Sequence, residues 1–110
     1  CLVASSDLTH VGPDYGFEPS ASRSDPVAWL RDRNDKAFLD AVLALDPVAA
    51  LSRAKQDRSA CSAGAVAAAM AFADSAGASL TRLLGYATSY EVRQAPSIVG
   101  YAALGFYRPA

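Results

Sequence analysis

Charge of one sign is nowhere concentrated in this sequence. Ten Lys or Arg and eleven Asp or Glu are interspersed through 110 residues, for a formal net charge of −1. With no basic run, the phosphate-neutralising signature of nucleic-acid binding is missing, and no nucleic-acid partner is expected. Long apolar runs are missing too. The nearest, Ala63 to Ala73, is short, rich in alanine and closed by Asp74. It falls well below the roughly 18 residues that a membrane span needs, so no membrane partner is expected. Cysteine is scarce. Cys1 and Cys61 do not make a disulfide framework, and a reducing cytoplasm is the expected location. Histidine is scarcer still: His10 stands alone, which narrows imidazole chemistry to one position.

Hydrophobic residues make up 52% of the chain, yet much of this is alanine, which buries little surface. The length allows one domain at most. A small domain must bury a large share of its apolar area to offset chain entropy. The composition therefore predicts a marginal fold or a missing piece. The first residue is not Met, and the chain opens directly on Cys1-Leu2-Val3-Ala4. This predicts a cut inside a larger protein, with 1–110 as the C-terminal fragment of a single domain. Proteolytic maturation is the alternative. The fragment alone is expected to fold poorly, because its first strand would lack neighbours.

Leu2 to Ser6 reads as a short strand buried on both faces of a parallel sheet. Leu8 to Ser24 contains Gly12, Pro13, Gly16 and Pro19 and reads as a loop, long enough to suggest function. Asp25-Pro26 and Asp46-Pro47 are both helix starts. Between them Phe38, Ala41, Val42 and Leu45 share one helical face, with Asp32, Arg33, Asp35, Lys36 and Asp40 on the solvated side. A short helix follows from about Pro47 to Lys55, then a polar break from Gln56 to Ser59. A third helix is predicted from near Cys61 to about Gly77, a favourable residue past a helix C-terminus. Leu80 to Tyr90 and Ile98 to Tyr107 read as strands around a turn at Arg93-Gln94-Ala95-Pro96. Their aromatic residues are expected in the core. The fold class is α/β, a mixed sheet flanked by helices.

The densest polar cluster is Ser5-Ser6-Asp7-Leu8-Thr9-His10, directly after the first predicted strand. Open α/β sheets place ligands beyond the carboxyl ends of their strands. His10 suits proton exchange or metal ligation, and Asp7 is placed to orient its ring. The competing reading is a solvated loop histidine with Asp7 capping a turn. Ser5 or Ser6 as a nucleophile activated by His10 is a second arrangement, although no G-x-S-x-G turn supports it. Cys61 stands at a predicted helix start after Asp57-Arg58-Ser59, where the helix terminus and Arg58 both favour thiolate. A thiolate is a nucleophile and a transition-metal ligand. The competing reading is a small buried residue among alanines. One His, one Asp and one Cys do not complete a usual catalytic metal site, so further ligands are expected from outside these residues.

The run Val3-Ala4-Ser5-Ser6-Asp7-Leu8-Thr9-His10-Val11-Gly12 resembles the strand-and-loop motif of Memo-like proteins. In bacteria and archaea that family includes the protein B component of the AmmeMemoRadiSam system. Further matches follow in the family's order. They are Leu45-Asp46-Pro47, Cys61, Tyr86-Ala87-Thr88-Ser89 and Val99-Gly100-Tyr101-Ala102-Ala103. The likeness spans nearly the whole chain but only the closing part of a typical member. It implies a fold similar to class III extradiol dioxygenases, which use non-haem iron. It implies Asp7 and His10 as the motif's acid and histidine, with His10 at the position of the dioxygenase base. It implies Cys61 where those enzymes place a metal-binding carboxylate. The family's N-terminal histidines have no counterpart here, and Ser62 stands where members often carry Gly after the Cys.

The resemblance thus implies a metal-binding, dioxygenase-like protein carrying out redox chemistry on a small organic substrate. Cys61 and His10 would be metal ligands, and His10 with Asp7 the catalytic pair. The cofactor would be a transition metal, iron or copper before zinc. The alternative is a non-catalytic module that binds a peptide or protein in the same cleft. Radical-SAM and AMMECR-type proteins are the system partners that the resemblance implies.

Overall fold

Both Asp-Pro pairs start helices. In the computed structural model, which describes residues 1–110, the Asp25 carboxylate accepts from the Ala28 N–H at 3.0 Å. Asp46 accepts from the Ala49 N–H at 3.0 Å. Each carboxylate satisfies a donor that the first helical turn leaves free, and each proline sits where no N–H is required. The helices are α1 (Pro26–Trp29), α2 (Asp35–Leu43), α3 (Pro47–Asp57) and α4 (Ala63–Ser75).

α1 and α2 form one rod joined by a π-helical turn, Leu30–Asn34, in which the Asp35 N–H donates to the Leu30 carbonyl five residues back. Leu30 and Phe38 are both buried and stand eight positions apart. In a regular α-helix that spacing leaves them about 80° apart around the axis. The residue absorbed by the wide turn reduces the offset to about 20°, so both point inward. α2 ends at Leu43. Leu45 lies beyond it at φ 57, so it does not extend the predicted face; Phe38, Leu39 and Val42 form it instead.

The strands are β1 (His10–Val11), β2 (Leu80–Thr88) and β3 (Ile98–Tyr107), in the order β1-β3-β2. All pairings are antiparallel, and an irregularity at Leu84 interrupts the β2–β3 register. β2 stops at Thr88, two residues short of expectation, because Ser89–Glu91 turns into a 3-10 helix. The expected strand at Leu2 to Ser6 does not form. Residues 1–9 have no regular structure, and Leu2 and Val3 are exposed. A parallel strand needs a neighbour to take its N–H and C=O groups, and no strand in this chain pairs with that segment. The long loop is more ordered than its composition suggests. It holds β1, two 3-10 turns and a bridge between Gly12 and Phe17.

The main core gathers Leu8, Phe38, Leu39, Val42, Ala50, Ala54 and Met70, with Ala102, Leu104 and Phe106 of β3 packed against it. A second cluster joins Val11, Leu30 and Ile98. Alternation along β3 turns Tyr101 and Tyr107 to the opposite face, where both are more than 40% exposed, so these two aromatics are not core residues. No helix is long and apolar enough to cross a membrane.

Candidate functional site

β3 aims the first half of the site. The Leu8 N–H donates to the Gly100 carbonyl and the Gly100 N–H to the Thr9 carbonyl, both at 3.0 Å. His10 then pairs with Val99 in the antiparallel register. Asp7 is the last residue before this pairing begins. Its carboxylate Oδ2 lies 3.5 Å from His10 Nε2, with the two side chains 49% and 30% exposed. That is an ion-pair distance when the ring is protonated, longer than a formed hydrogen bond. The Tyr15 ring meets the His10 ring edge-on, with centroids 4.9 Å apart. The imidazole is thus held on two sides and still reached by solvent.

The second half comes from the α3–α4 connection. α3 ends at Asp57 and is capped by Arg58, in the left-handed region at φ 51. Two residues before α4, Cys61 donates its N–H to the Asp7 carbonyl at 3.2 Å. Ser62 donates its N–H to Ser6 Oγ at 3.0 Å. The Ser6 hydroxyl donates to the Asp7 carbonyl at 2.9 Å, and Cys61 Sγ lies 3.8 Å from Ser6 Oγ. Cys61 is a free, exposed thiol, which removes the reading as a buried packing residue. The Arg58 guanidinium lies 4.6 Å over the Phe17 ring, committed to an aromatic face.

Asp7 therefore touches both halves, through its carbonyl to Cys61 and its carboxylate to His10. No hydrogen bond joins Ser5 or Ser6 to His10, so the serine-nucleophile arrangement is not formed. No group of three His, Cys, Asp or Glu side chains is close enough to hold a metal ion. A catalytic metal normally takes three protein ligands. The donors present do not amount to a complete metal site, and no reaction step through a metal is derived from them. The two main cavities, of about 580 and 670 Å³, are lined without Asp7, His10 or Cys61.

Sequence reasoning placed Asp35 on the solvated face. It is fully buried, as is Thr9. Burial pushes the Asp35 carboxyl above its ordinary value, while hydrogen bonds from Thr9 and Tyr86 oppose the rise. Burial and the bond to Asp35 likewise raise the Tyr86 hydroxyl. The signal was present in the spacing: Asp35, Phe38, Leu39 and Val42 stand at i, i+3, i+4 and i+7, one face of a regular helix. The extra residue of the π turn then brings Leu30 onto the same inward side.

The model of the family described as Memo-like protein matches residues 1–105. This chain belongs to the Memo-like family. It is 35% identical over 107 residues to a MEMO1 family protein of Thermococcus onnurineus, covering 96% of this chain and 37% of that protein. It is 34% identical over 104 residues to one of Methanococcoides burtonii, covering 94% and 34%. A third, from Thermococcus kodakarensis, is 31% identical over 109 residues, covering 97% and 38%. The Memo-like chain thus spans little more than a third of the length of these curated relatives.

Proposed function

We propose that this Memo-like chain supplies one side of a metal-binding, dioxygenase-like centre. Cys61 acts as a ligand, His10 as a base or further ligand, and Asp7 as the carboxylate that orients the imidazole. The reading is supported by the double contact of Asp7, whose carbonyl accepts from Cys61 while its carboxylate faces His10. Further ligands come from outside these residues. The reaction class is oxidation of a small organic molecule by O₂. Iron or copper is preferred to zinc because zinc does not change oxidation state. Radical-SAM and AMMECR-type partners belong to the same proposal.

The test uses the protein as encoded by its own gene, reconstituted separately with iron, copper and zinc. Bound metal is then measured in the unaltered protein, in Cys61→Ala and in His10→Ala. Stoichiometric iron or copper is expected, with affinity lowered about 10-fold or more in each variant. No bound metal, or equal content in all three proteins, would refute the reading. Capture of a peptide by metal-free protein, unchanged when metal is added, would instead favour a binding module.

A further inference from the structure

The segment that carries the site is gripped from beneath by a buried polar node. Thr9 stands between Asp7 and His10. Its N–H and its hydroxyl both donate to Asp35 Oδ1, at 3.0 and 2.6 Å. The other carboxylate oxygen accepts from the Tyr86 hydroxyl on β2 at 2.6 Å. Asn34, the last residue of the π turn, donates from Nδ2 to Thr9 Oγ1 at 2.8 Å and to the Asp57 carbonyl at 3.0 Å. Asp57 closes α3, the helix that leads into the Cys61 connection. One residue of the site segment is thereby tied to α2 and β2, and through Asn34 to the approach of the other half.

This node is an unusual use of a carboxylate. Burying a charge is costly unless it is paired or fully hydrogen-bonded. No Lys, Arg or His nitrogen lies within ion-pair distance of Asp35, so three hydrogen bonds do the work. A satisfied polar network in a low-dielectric interior is directional, and it specifies one geometry where apolar packing would tolerate several. Two further features are built around it. Asn34 closes the π turn directly before Asp35, and such turns recur at functional sites. At Gly100 on β3, any side chain would collide with Asp35 Oδ2, so the missing side chain lets β3 run directly against the carboxylate.

We propose that Asp35 is a positioning residue for the site: through Thr9 it sets where Asp7 and His10 stand, and with Asn34 it fixes that segment against the α3–α4 connection that carries Cys61. Its functional meaning rests on the reading proposed above, whereas its geometric claim does not require a metal.

The experiment compares Asp35→Ala, Asp35→Asn, Thr9→Val and a core control, Met70→Ala, in the protein as encoded by its own gene. Carbethoxylation of His10 by diethylpyrocarbonate and alkylation of Cys61 by iodoacetamide are timed residue by residue with peptide mass spectrometry. Each protein is measured at the same interval below its own melting midpoint. Asp35→Ala is expected to change the His10 rate about fivefold or more, the effect of losing a net hydrogen bond. It should move the Cys61 rate in the same samples. Asp35→Asn keeps an oxygen for both Thr9 donors and should restore the His10 rate to within about twofold. Met70→Ala should leave both rates unchanged, since it weakens the core without touching the node.

Unchanged rates in Asp35→Ala, or an equal change in Met70→Ala, would overturn the proposal. If Asp35→Ala does not fold, Thr9→Val carries the same test, because it keeps the shape and removes only the hydroxyl. A protein that binds no metal yet shows these rate changes would defeat the metal reading and leave this one standing.

Discussion

The node around Thr9 and the groove between α4 and the β2–β3 hairpin are built from opposite materials. At the node, polar groups 26 and 51 positions apart in sequence meet at hydrogen-bond distance around the buried Asp35. The groove, about 670 Å³, is walled by apolar residues such as Leu2, Phe72, Leu84 and Tyr107. Phe72 is 50% and Leu84 58% exposed. Hydrogen bonds saturate and point, so the node is complete with what this chain provides. Apolar attraction is non-directional and grows with area, so the groove has no internal limit at which it is finished. The half of the molecule that aims the site is therefore the half that the chain specifies most sharply.

The largest expected effect tests the groove side. Phe38→Ala removes the biggest buried side chain of the main core and should lower unfolding stability by about 4 kcal/mol in urea titration. A loss below about 2 kcal/mol would mean that the groove side is too loose to count as core.

The same substitution at the node and on an exposed helix turn should then give opposite signs. Gly100→Ala drives a methyl group into Asp35 and should cost about 2 kcal/mol or more. Gly64→Ala, in α4, meets nothing within 4 Å and should gain about 0.5 kcal/mol from reduced chain entropy. Equal effects at the two positions would show that the node is no tighter than an exposed helix turn.

Acid titration sharpens the node further. The Asp35 carboxyl titrates above its ordinary value, so just above that value the folded state binds more protons than the unfolded state. Its contribution is most favourable below the ordinary carboxylate range and is lost as pH rises through the raised value, the reverse of a salt-bridged acid. The stability of the unaltered protein relative to Asp35→Asn should therefore fall as pH rises from the ordinary carboxylate range through the raised value. A pH-independent difference would place Asp35 in ordinary surroundings. The smallest expected effect lies in the groove: Leu84→Ser should change stability by no more than about 0.5 kcal/mol. A larger loss would show that the exposed leucine is already packed.

Several elements were legible before any coordinates. Asp25-Pro26 and Asp46-Pro47 announced their helices, and the apolar run from Ile98 to Tyr107 announced β3. The Asp7–His10 contact was readable from its three-residue separation. Leu2 to Ser6 misled, because apolar composition shows that a segment suits a strand without showing that a partner strand is present. Asp35 misled because its charge was read as facing solvent, although its spacing from Phe38, Leu39 and Val42 is that of the buried face.

By itself, then, the sequence determined the helix starts, the β2–β3 hairpin and the family, and it singled out Asp7 and His10 as a candidate pair. Each of these depends on neighbours a few residues away or on a run of recognisable side chains. Tertiary structure alone decided that Asp35 is interior, that Thr9 is its ligand, and that Cys61 rests on the Asp7 carbonyl. Those contacts join residues far apart in the chain, so they exist only once α2, β3 and the α3–α4 connection have packed. Their strength then comes from the low-dielectric interior that the packing creates.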